Sequence, residues 1–324
     1  MTALFISLAA AIIPTVIYVL IFYWADRYER EPLWLTAVAF IWGAVPAIIV
    51  SIIGEFVLGW QSIDAPDSVA GAIVNGAIIA PIVEELAKGA ALLLIFWFMR
   101  HEFDGVLDGV VYGALIGFGF AMTENFFYFV GAYDEGGYGQ LSFVIFLRAV
   151  LFGLNHAFYT GLTGIGLGMA RWVHRRSSRV LWILFGLLAA IVTHSLHNLG
   201  AGLAAYNLIG LGLSLVVAAA GVLLIFVAVI LSWRQERHYL RLELAEEIGV
   251  LLDAQEYEEI TRRWRNPLRK GGRTAQAQAR RRHDLVELAL KKGRLRNGAG
   301  DESPALVQEI TRLRVALAEL SEAR

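Results

Sequence analysis

The sequence predicts an all-α protein: a polytopic membrane domain of about seven transmembrane helices over residues 1–232, then a soluble helical cytoplasmic region over 233–324. Three observations predict it. First, 57% of the 324 residues are hydrophobic and the mean hydropathy is +0.57, more apolar surface than a soluble fold of this size hides. Second, charge is segregated. The net charge is −1, yet residues 233–324 hold 19 of the 28 Lys and Arg and 15 of the 29 Asp and Glu. Third, apolar runs of spanning length recur through the first part of the chain.

The first run, Ala3–Tyr23, follows no basic segment, so it reads as a retained transmembrane helix rather than a signal peptide. The next runs are Leu33–Leu58, Val69–Met99, Val106–Ala132, Leu141–Ala170, Val180–Ala205 and Leu208–Leu231. Trp24, Trp34, Trp60, Trp97, Trp172, Trp182 and Trp233 fall at their ends, where amphipathic rings favour the membrane interface. The third run, about 46 Å long as a helix, exceeds what a bilayer core needs. Pro81 lies within it, just before a charged cluster, and is placed to break it.

Connections alternate in charge. Arg27 and Arg30 follow the first run, Arg100 and His101 the third, Arg171, Arg175, Arg176 and Arg179 the fifth, and Arg234, Arg237 and Arg241 the seventh. The connections after the second, fourth and sixth runs carry no Lys or Arg. The positive-inside rule then puts the N-terminus outside and the tail in the cytoplasm. Tail helices are expected over Arg234–Tyr257, Thr274–Lys292 and Pro304–Glu322, with breaks at Asn266-Pro267, Gly271-Gly272 and Asn297–Gly300. The basic run Arg262–Lys270 reads as a solvated surface, with contact to anionic lipid as the alternative. No nucleic-acid motif or internal repeat is evident. The absence of cysteine excludes disulfides, thiol nucleophiles and thiolate metal sites.

Ionisable residues inside the spans are few, and each is costly: roughly 2.5–3.5 kcal/mol at a bilayer centre on insertion scales. Glu84 and Glu85 stand side by side in the third run with Lys88; Glu124-Asn125 lies in the fourth, Arg148 and Asn155-His156 in the fifth, His194, His197 and Asn198 in the sixth. Counted along helices from the outer ends, Glu84, Glu85, Glu124, His156 and His194 converge on the outer half of the bilayer. Plainer readings exist for single members. Lys88 is four residues from Glu84 and can neutralise it, which leaves Glu85 unexplained. A lone membrane histidine is often a helix–helix hydrogen bonder. Asp108, Glu55 and Arg148 lie near span ends and read as structural, interfacial and snorkelling residues. The glycines at 161, 164, 166 and 168 follow no strand and so form no nucleotide loop; they allow close helix packing.

Two chemistries fit this inventory. A carboxylate with an imidazole can activate water while His and Asn donors stabilise an oxyanion. Alternatively, two histidines and a carboxylate can hold Zn²⁺ beside a glutamate base. A serine nucleophile has little support, since no Gly-x-Ser-x-Gly occurs.

The ordered set Glu84-Glu85-x-x-Lys88, Gly119-Phe120-Ala-x-x-Glu124-Asn125, Phe152-x-x-x-His156 and His194-x-x-x-Asn198 resembles the PrsW family of intramembrane proteases, within the superfamily of prenyl-protein-processing and bacteriocin-processing proteases. The resemblance covers about residues 1–232; the tail matches no family recognised here. Lys88 stands one position before the arginine of the prenyl-processing branch, which argues against prenylated substrates. The resemblance implies a bacterial plasma-membrane endopeptidase that cuts a single-pass membrane protein of the anti-sigma-factor type on its outer side. It implies Glu84 as general base, Glu85 as its support or a metal ligand, His156 as a holder of the water, His194 and Asn198 as oxyanion donors, and Glu124 as a further ligand or proton-handling group. If Zn²⁺ is present, the resemblance assigns it to His156, His194 and Glu124; the absence of His-Glu-x-x-His favours the metal-free scheme. A proton-coupled transporter and a seven-helix sensor with an output tail are the alternatives, the first lacking the internal repeats such folds often show.

Overall fold

The structure, a computed structural model, describes the chain apart from residues 27, 29, 63–68, 101, 174, 205, 263–272, 297–303 and 323–324. Arg27, His101, the basic run beyond Arg262 and the breaks expected at Asn266-Pro267, Gly271-Gly272 and Asn297–Gly300 therefore lie outside the described residues.

Among the described residues every regular element is a helix. In order they are α1 (Thr2–Ala25), α2 (Leu33–Trp42), α3 (Ile48–Ser62), α4 (Val69–Val74), α5 (Ala80–Phe98), α6 (Val106–Ile145), α7 (Asn155–Arg171), α8 (Arg176–Ala204), α9 (Leu208–Ala245), α10 (Ala254–Arg262), α11 (Arg273–Arg296) and α12 (Pro304–Glu322). Among the described residues five segments are long and apolar enough to cross a membrane: Thr2–Ala25, Leu33–Gly59, Val106–Arg171, Arg176–Ala204 and Leu208–Ala245. The protein is an integral membrane protein, and its outward side chains fit that setting. Ile13, Ile17 and Leu20 on α1 and Leu184, Phe185 and Leu188 on α8 are exposed, as are Trp24, Trp34 and Trp97 near helix ends.

Three wide π-helical turns interrupt the bundle: Gly43–Ala47 between α2 and α3, Asn75–Ile79 between α4 and α5, and Phe146–Leu151 after α6. Two have a proline at hand. Pro46 lies inside the first and Pro81 follows the second, in the opening turn of α5. Proline has no N–H to give the preceding turn, so the regular ladder cannot run through it. The expected break at Pro81 is thus a widening of the helix just before the glutamates. A true reversal occurs inside the α6 range, where Gly136 and Gly137 leave helical geometry and Gly137 takes φ 64°, a conformation open to glycine.

Helix α6 is the post around which the membrane unit is built. A Cβ on Gly109 would lie 2.1 Å from the Gly164 carbonyl oxygen of α7, and one on Gly119 would lie 2.1 Å from that of Phe40 in α2. Backbone meets backbone at both places, so the glycine-rich run of α7 serves close packing. Tyr18 of α1 donates to the Ala149 carbonyl at 2.9 Å, and Thr123 of α6 to that of Ala44 at 2.8 Å. Trp42, unlike the interfacial tryptophans, sits mid-segment and donates to Ala87 O at 3.1 Å.

The chain forms two compact units. One comprises Met1–Asp26, Glu31–Ala170 and Ser177–Ala228; the other comprises Arg27–Arg30, Arg171–Arg176 and Val229–Arg324. The second has its own core of Leu240, Leu244, Leu285, Leu288, Ala289 and Leu317, against which Tyr28 and Trp172 pack. Trp172 is therefore a packing residue of this unit. An ionic network closes it: buried Glu247 accepts from Lys292 at 2.7 Å and Arg314 at 2.9 Å, and buried Glu243 accepts from Arg296 at 2.7 Å.

Candidate functional site

Helix α5 places Glu84, Glu85 and Lys88 within two turns, all buried. Lys88 Nζ donates to Glu84 Oε2 and to Glu85 Oε1, each at 2.9 Å, and lies 3.1 Å from His156 Nδ1. It also sits 3.7 Å above the Phe120 ring, a cation–π placement. One ammonium thus compensates two carboxylates that could not otherwise stand charged in an apolar helix.

The two carboxylates are held differently. Glu85 is tied at both oxygens. Oε1 takes Lys88 and lies 3.0 Å from His194 Nδ1, and Oε2 accepts from Thr160 Oγ1 at 3.2 Å. Among the described residues, the Glu84 carboxylate is held through Oε2 alone, by Lys88 and, at 3.9 Å, by His194 Nε2.

Two imidazoles complete the cluster. His156 opens α7 and brings Nε2 to 2.9 Å from Glu124 Oε2. With Lys88 donating to Nδ1, the proton belongs on Nε2, an assignment made from the partners. Glu124 also receives Arg148, whose Nε donates to Asn125 Oδ1 at 2.7 Å while its guanidinium stacks 3.8 Å over Tyr128. Arg148, read from sequence as a snorkelling anchor, therefore belongs to the polar cluster, because Glu124 and Asn125 accept from its guanidinium. His194 stacks flat on Tyr159, ring centroids 4.5 Å apart.

The remaining candidates lie around this centre. Asn198 Nδ2 donates to the Gly76 carbonyl at 2.9 Å. His197 is 3.2 Å from Asn155 Nδ2 and packs edge-on against Phe152. Asp108 accepts from the backbone of Asp104 at 2.9 Å and of Gly105 at 2.7 Å, so it secures the start of α6. Glu55 borders a cavity that also reaches Glu84.

Glu84, Glu85, His156 and His194 bring one donor atom each within 4.8 Å of one another. Two carboxylate oxygens and two imidazole nitrogens form a donor set that fits Zn²⁺. Glu124 stands outside this set as the carboxylate that orients His156. The Lys88 ammonium occupies the same neighbourhood and meets three of the four donors.

Two cavities border the cluster. A cavity of about 460 Å³ is walled mainly by apolar groups, with His156, Tyr159, His194 and Asn198 among them, and reaches Tyr206 in the connection between α8 and α9. A second, of about 410 Å³, is walled by Ser51, Glu55, Asn75, Glu84 and Glu124 among others. Thr160 and Tyr159 were not singled out from sequence. Their signal was helical spacing alone, one and nearly one turn beyond His156.

A family model described as "PrsW family intramembrane metalloprotease" matches residues 31–232. The chain is 28% identical over 195 residues to "Protease PrsW" of Bacillus subtilis (strain 168), covering 60% of this chain and 82% of that one. It is 28% identical over 182 residues to "Protease PrsW" of Geobacillus kaustophilus (strain HTA426), covering 56% and 74%. The protein of that name from Halalkalibacterium halodurans is 26% identical over 196 residues, covering 60% and 83%. No solved structure matches the chain.

Proposed function

Because the chain belongs to the PrsW family of intramembrane proteases, we propose that this membrane-embedded site hydrolyses a peptide bond in a single-pass membrane protein, of the anti-sigma-factor type, with water activated by Glu84. The observation that carries the assignment is the asymmetry of the glutamate pair. Glu85 spends both oxygens on Lys88, His194 and Thr160, whereas the Glu84 carboxylate is held through Oε2 alone and borders a cavity. Glu85 is then a positioning group and Glu84 the general base.

Each residue has a task in this scheme. Glu84 takes a proton from water as the water oxygen bonds to the scissile carbonyl carbon. The second N–H of Asn198 faces the developing oxyanion, and His194, whose Nδ1–H is given to Glu85, adds an Nε2–H donor only as the imidazolium; preorganised donors of this kind are commonly the largest single contribution to such a step. The C–N bond then breaks and the nitrogen takes the proton carried by Glu84. Glu124, charge-compensated by Arg148, fixes the ring of His156, and His156 in turn fixes the Lys88 ammonium. The mostly apolar cavity suits an extended stretch of an unwound transmembrane segment.

The donor set also fits a metal of the kind that the word metalloprotease in the family description implies. Glu84, Glu85, His156 and His194 would hold it, and a bound Zn²⁺ would supply carbonyl polarisation and a more acidic water. One zinc per chain, lost together with activity on chelation, would assign these four donors to the metal. Full activity in metal-free protein would leave the Lys88 ammonium as the cation of the site.

We also propose seven crossings. The Val106–Arg171 segment reverses at Gly136-Gly137 and so accounts for two, and α4–α5 makes one that the Glu84–Lys88 ion pair renders tolerable. Tyr28 and Trp172, from the connections after α1 and α7, pack on the core of the tail, which supports placing those connections and the tail on one side of the bilayer. With the basic residues, that side is the cytoplasm of a bacterial plasma membrane. The apolar cavity reaches the α8–α9 connection and would open on the outer side.

The test uses purified protein with a single-pass substrate. Wild type yields two fragments, and Glu84→Ala, His156→Ala and His194→Ala each lower cleavage by at least about a hundredfold. Full activity in all three variants would overturn the assignment.

A further inference from the structure

The general base and the imidazoles border different cavities. Glu84 lines the cavity of about 410 Å³, while His156, Tyr159 and His194 line the one of about 460 Å³. Gly76, Glu124, Tyr128 and Asn198 line both and form the partition. The smaller cavity gathers three carboxylates, Glu55, Glu84 and Glu124, where the larger sets Glu124 beside Arg148 and three histidines. Two of its wall residues also carry buried polar atoms that find no partner among the described residues: Ser51 Oγ and Asn75 Oδ1. Ser51 is 2% exposed. A buried hydroxyl or amide oxygen without a protein partner costs free energy, and ordered water is the usual remedy in a polar cavity large enough to hold it. A cavity of this size exceeds the volume of several waters.

We propose that the cavity walled by Ser51, Glu55, Asn75, Glu84 and Glu124 is a hydrated chamber that supplies the hydrolytic water to Glu84 separately from the cavity that takes the peptide. The proposal deepens the protease reading and rests on it for the fate of the water. Its physical motive is general. A membrane segment filling the apolar cavity displaces the solvent there, so hydrolysis needs a second route by which water reaches the base. Glu55 lies one helical turn beyond Ser51 toward the end of α3, which gives the chamber a polar wall along that helix.

The sequence contains no cysteine, so single cysteines can report hydration in the full chain in lipid nanodiscs. The probe is the 2-aminoethyl methanethiosulfonate cation, which reacts with the thiolate and so discriminates water from lipid. Ser51→Cys should react at least about tenfold faster than Ile53→Cys, because lipid suppresses thiol ionisation. Ile53 is 59% exposed on the outer surface of α3. Glu55→Cys should react as fast as Ser51→Cys. An inert Ser51→Cys beside a reactive Glu55→Cys would confine water to the helix end and overturn the chamber, as would equal rates at positions 51 and 53. A folded Ser51→Leu, checked by its thermal midpoint, fills the chamber. It should lower kcat about tenfold at unchanged KM, since the peptide cavity is untouched. Unchanged kcat would overturn the supply role. Labelling does not depend on catalysis, so a wild type that cleaves nothing refutes the protease reading alone, and an inert Ser51→Cys in an active enzyme refutes the chamber alone.

Discussion

At the scale of single residues, Lys88 organises the site. It meets both glutamates and His156 with a fully buried side chain. Removing one partner of a buried ion pair leaves an uncompensated charge and typically costs about 3–5 kcal/mol. Lys88→Met should therefore lower the thermal midpoint of the purified protein and its folded yield, beyond any loss of activity. Glu84→Gln keeps a hydrogen-bonding partner for Lys88 and should retain the fold while losing cleavage; an active Glu84→Gln would move the base elsewhere. Thr160→Val removes one hydrogen bond to Glu85 and should cost about 0.5–1.5 kcal/mol, read as a modest drop in midpoint. The sequence made the glutamate pair, His156 and His194 legible because ionisable residues are expensive in apolar helices. It could not show that Glu85 is saturated and Glu84 is not, because that depends on Thr160 and His194 arriving from other helices. The partners of Arg148 were hidden for the same reason: position along a span says nothing about which carboxylate lies across the gap.

At the scale of elements, glycines decide how near the helices come. Gly109→Leu would drive a side chain into the Gly164 backbone and should abolish assembly of α6 on α7. Gly131→Ala is the control, since a Cβ there meets nothing within 4 Å and should leave the thermal midpoint unchanged. The spacing of small residues foretold the contact but not its partner. The π-helical turns were less legible. Pro81 signalled an interruption and Pro46 was passed over, while Phe146–Leu151 contains no proline, and its width shows only in the backbone. That turn carries Arg148 to Glu124, so an irregularity invisible to periodicity shapes the site.

At the scale of the whole molecule, the charged tail is a folded unit with its own core and ionic network. The Glu246 carboxyl, hydrogen-bonded by Lys292 and Arg296, is held below its ordinary value. A depressed carboxyl stabilises the fold above its unfolded pKa, and that contribution disappears as pH falls through the lowered value. Glu246→Gln should accordingly show a lower thermal midpoint than wild type at neutral pH, and the difference should close as the pH falls below the ordinary carboxylate range and through the lowered value. Equal midpoints at neutral pH would show that solvent screens the pair completely. The tail helices were expected from leucine spacing. That Trp172 joins their core, together with Tyr28, was not, since Trp172 reads from sequence as a membrane-edge residue.

The sequence by itself determined the helical class, the membrane setting and the membership of the ionisable set, because hydropathy, period and the cost of buried charge are local properties of the chain. The tertiary structure alone decided which glutamate spends both carboxylate oxygens on neighbours, which carboxylate meets His156, and that two cavities border the cluster. Those depend on atoms from α5, α6, α7 and α8 brought within about 3–4 Å, a distance set by helix packing and not by position along the chain.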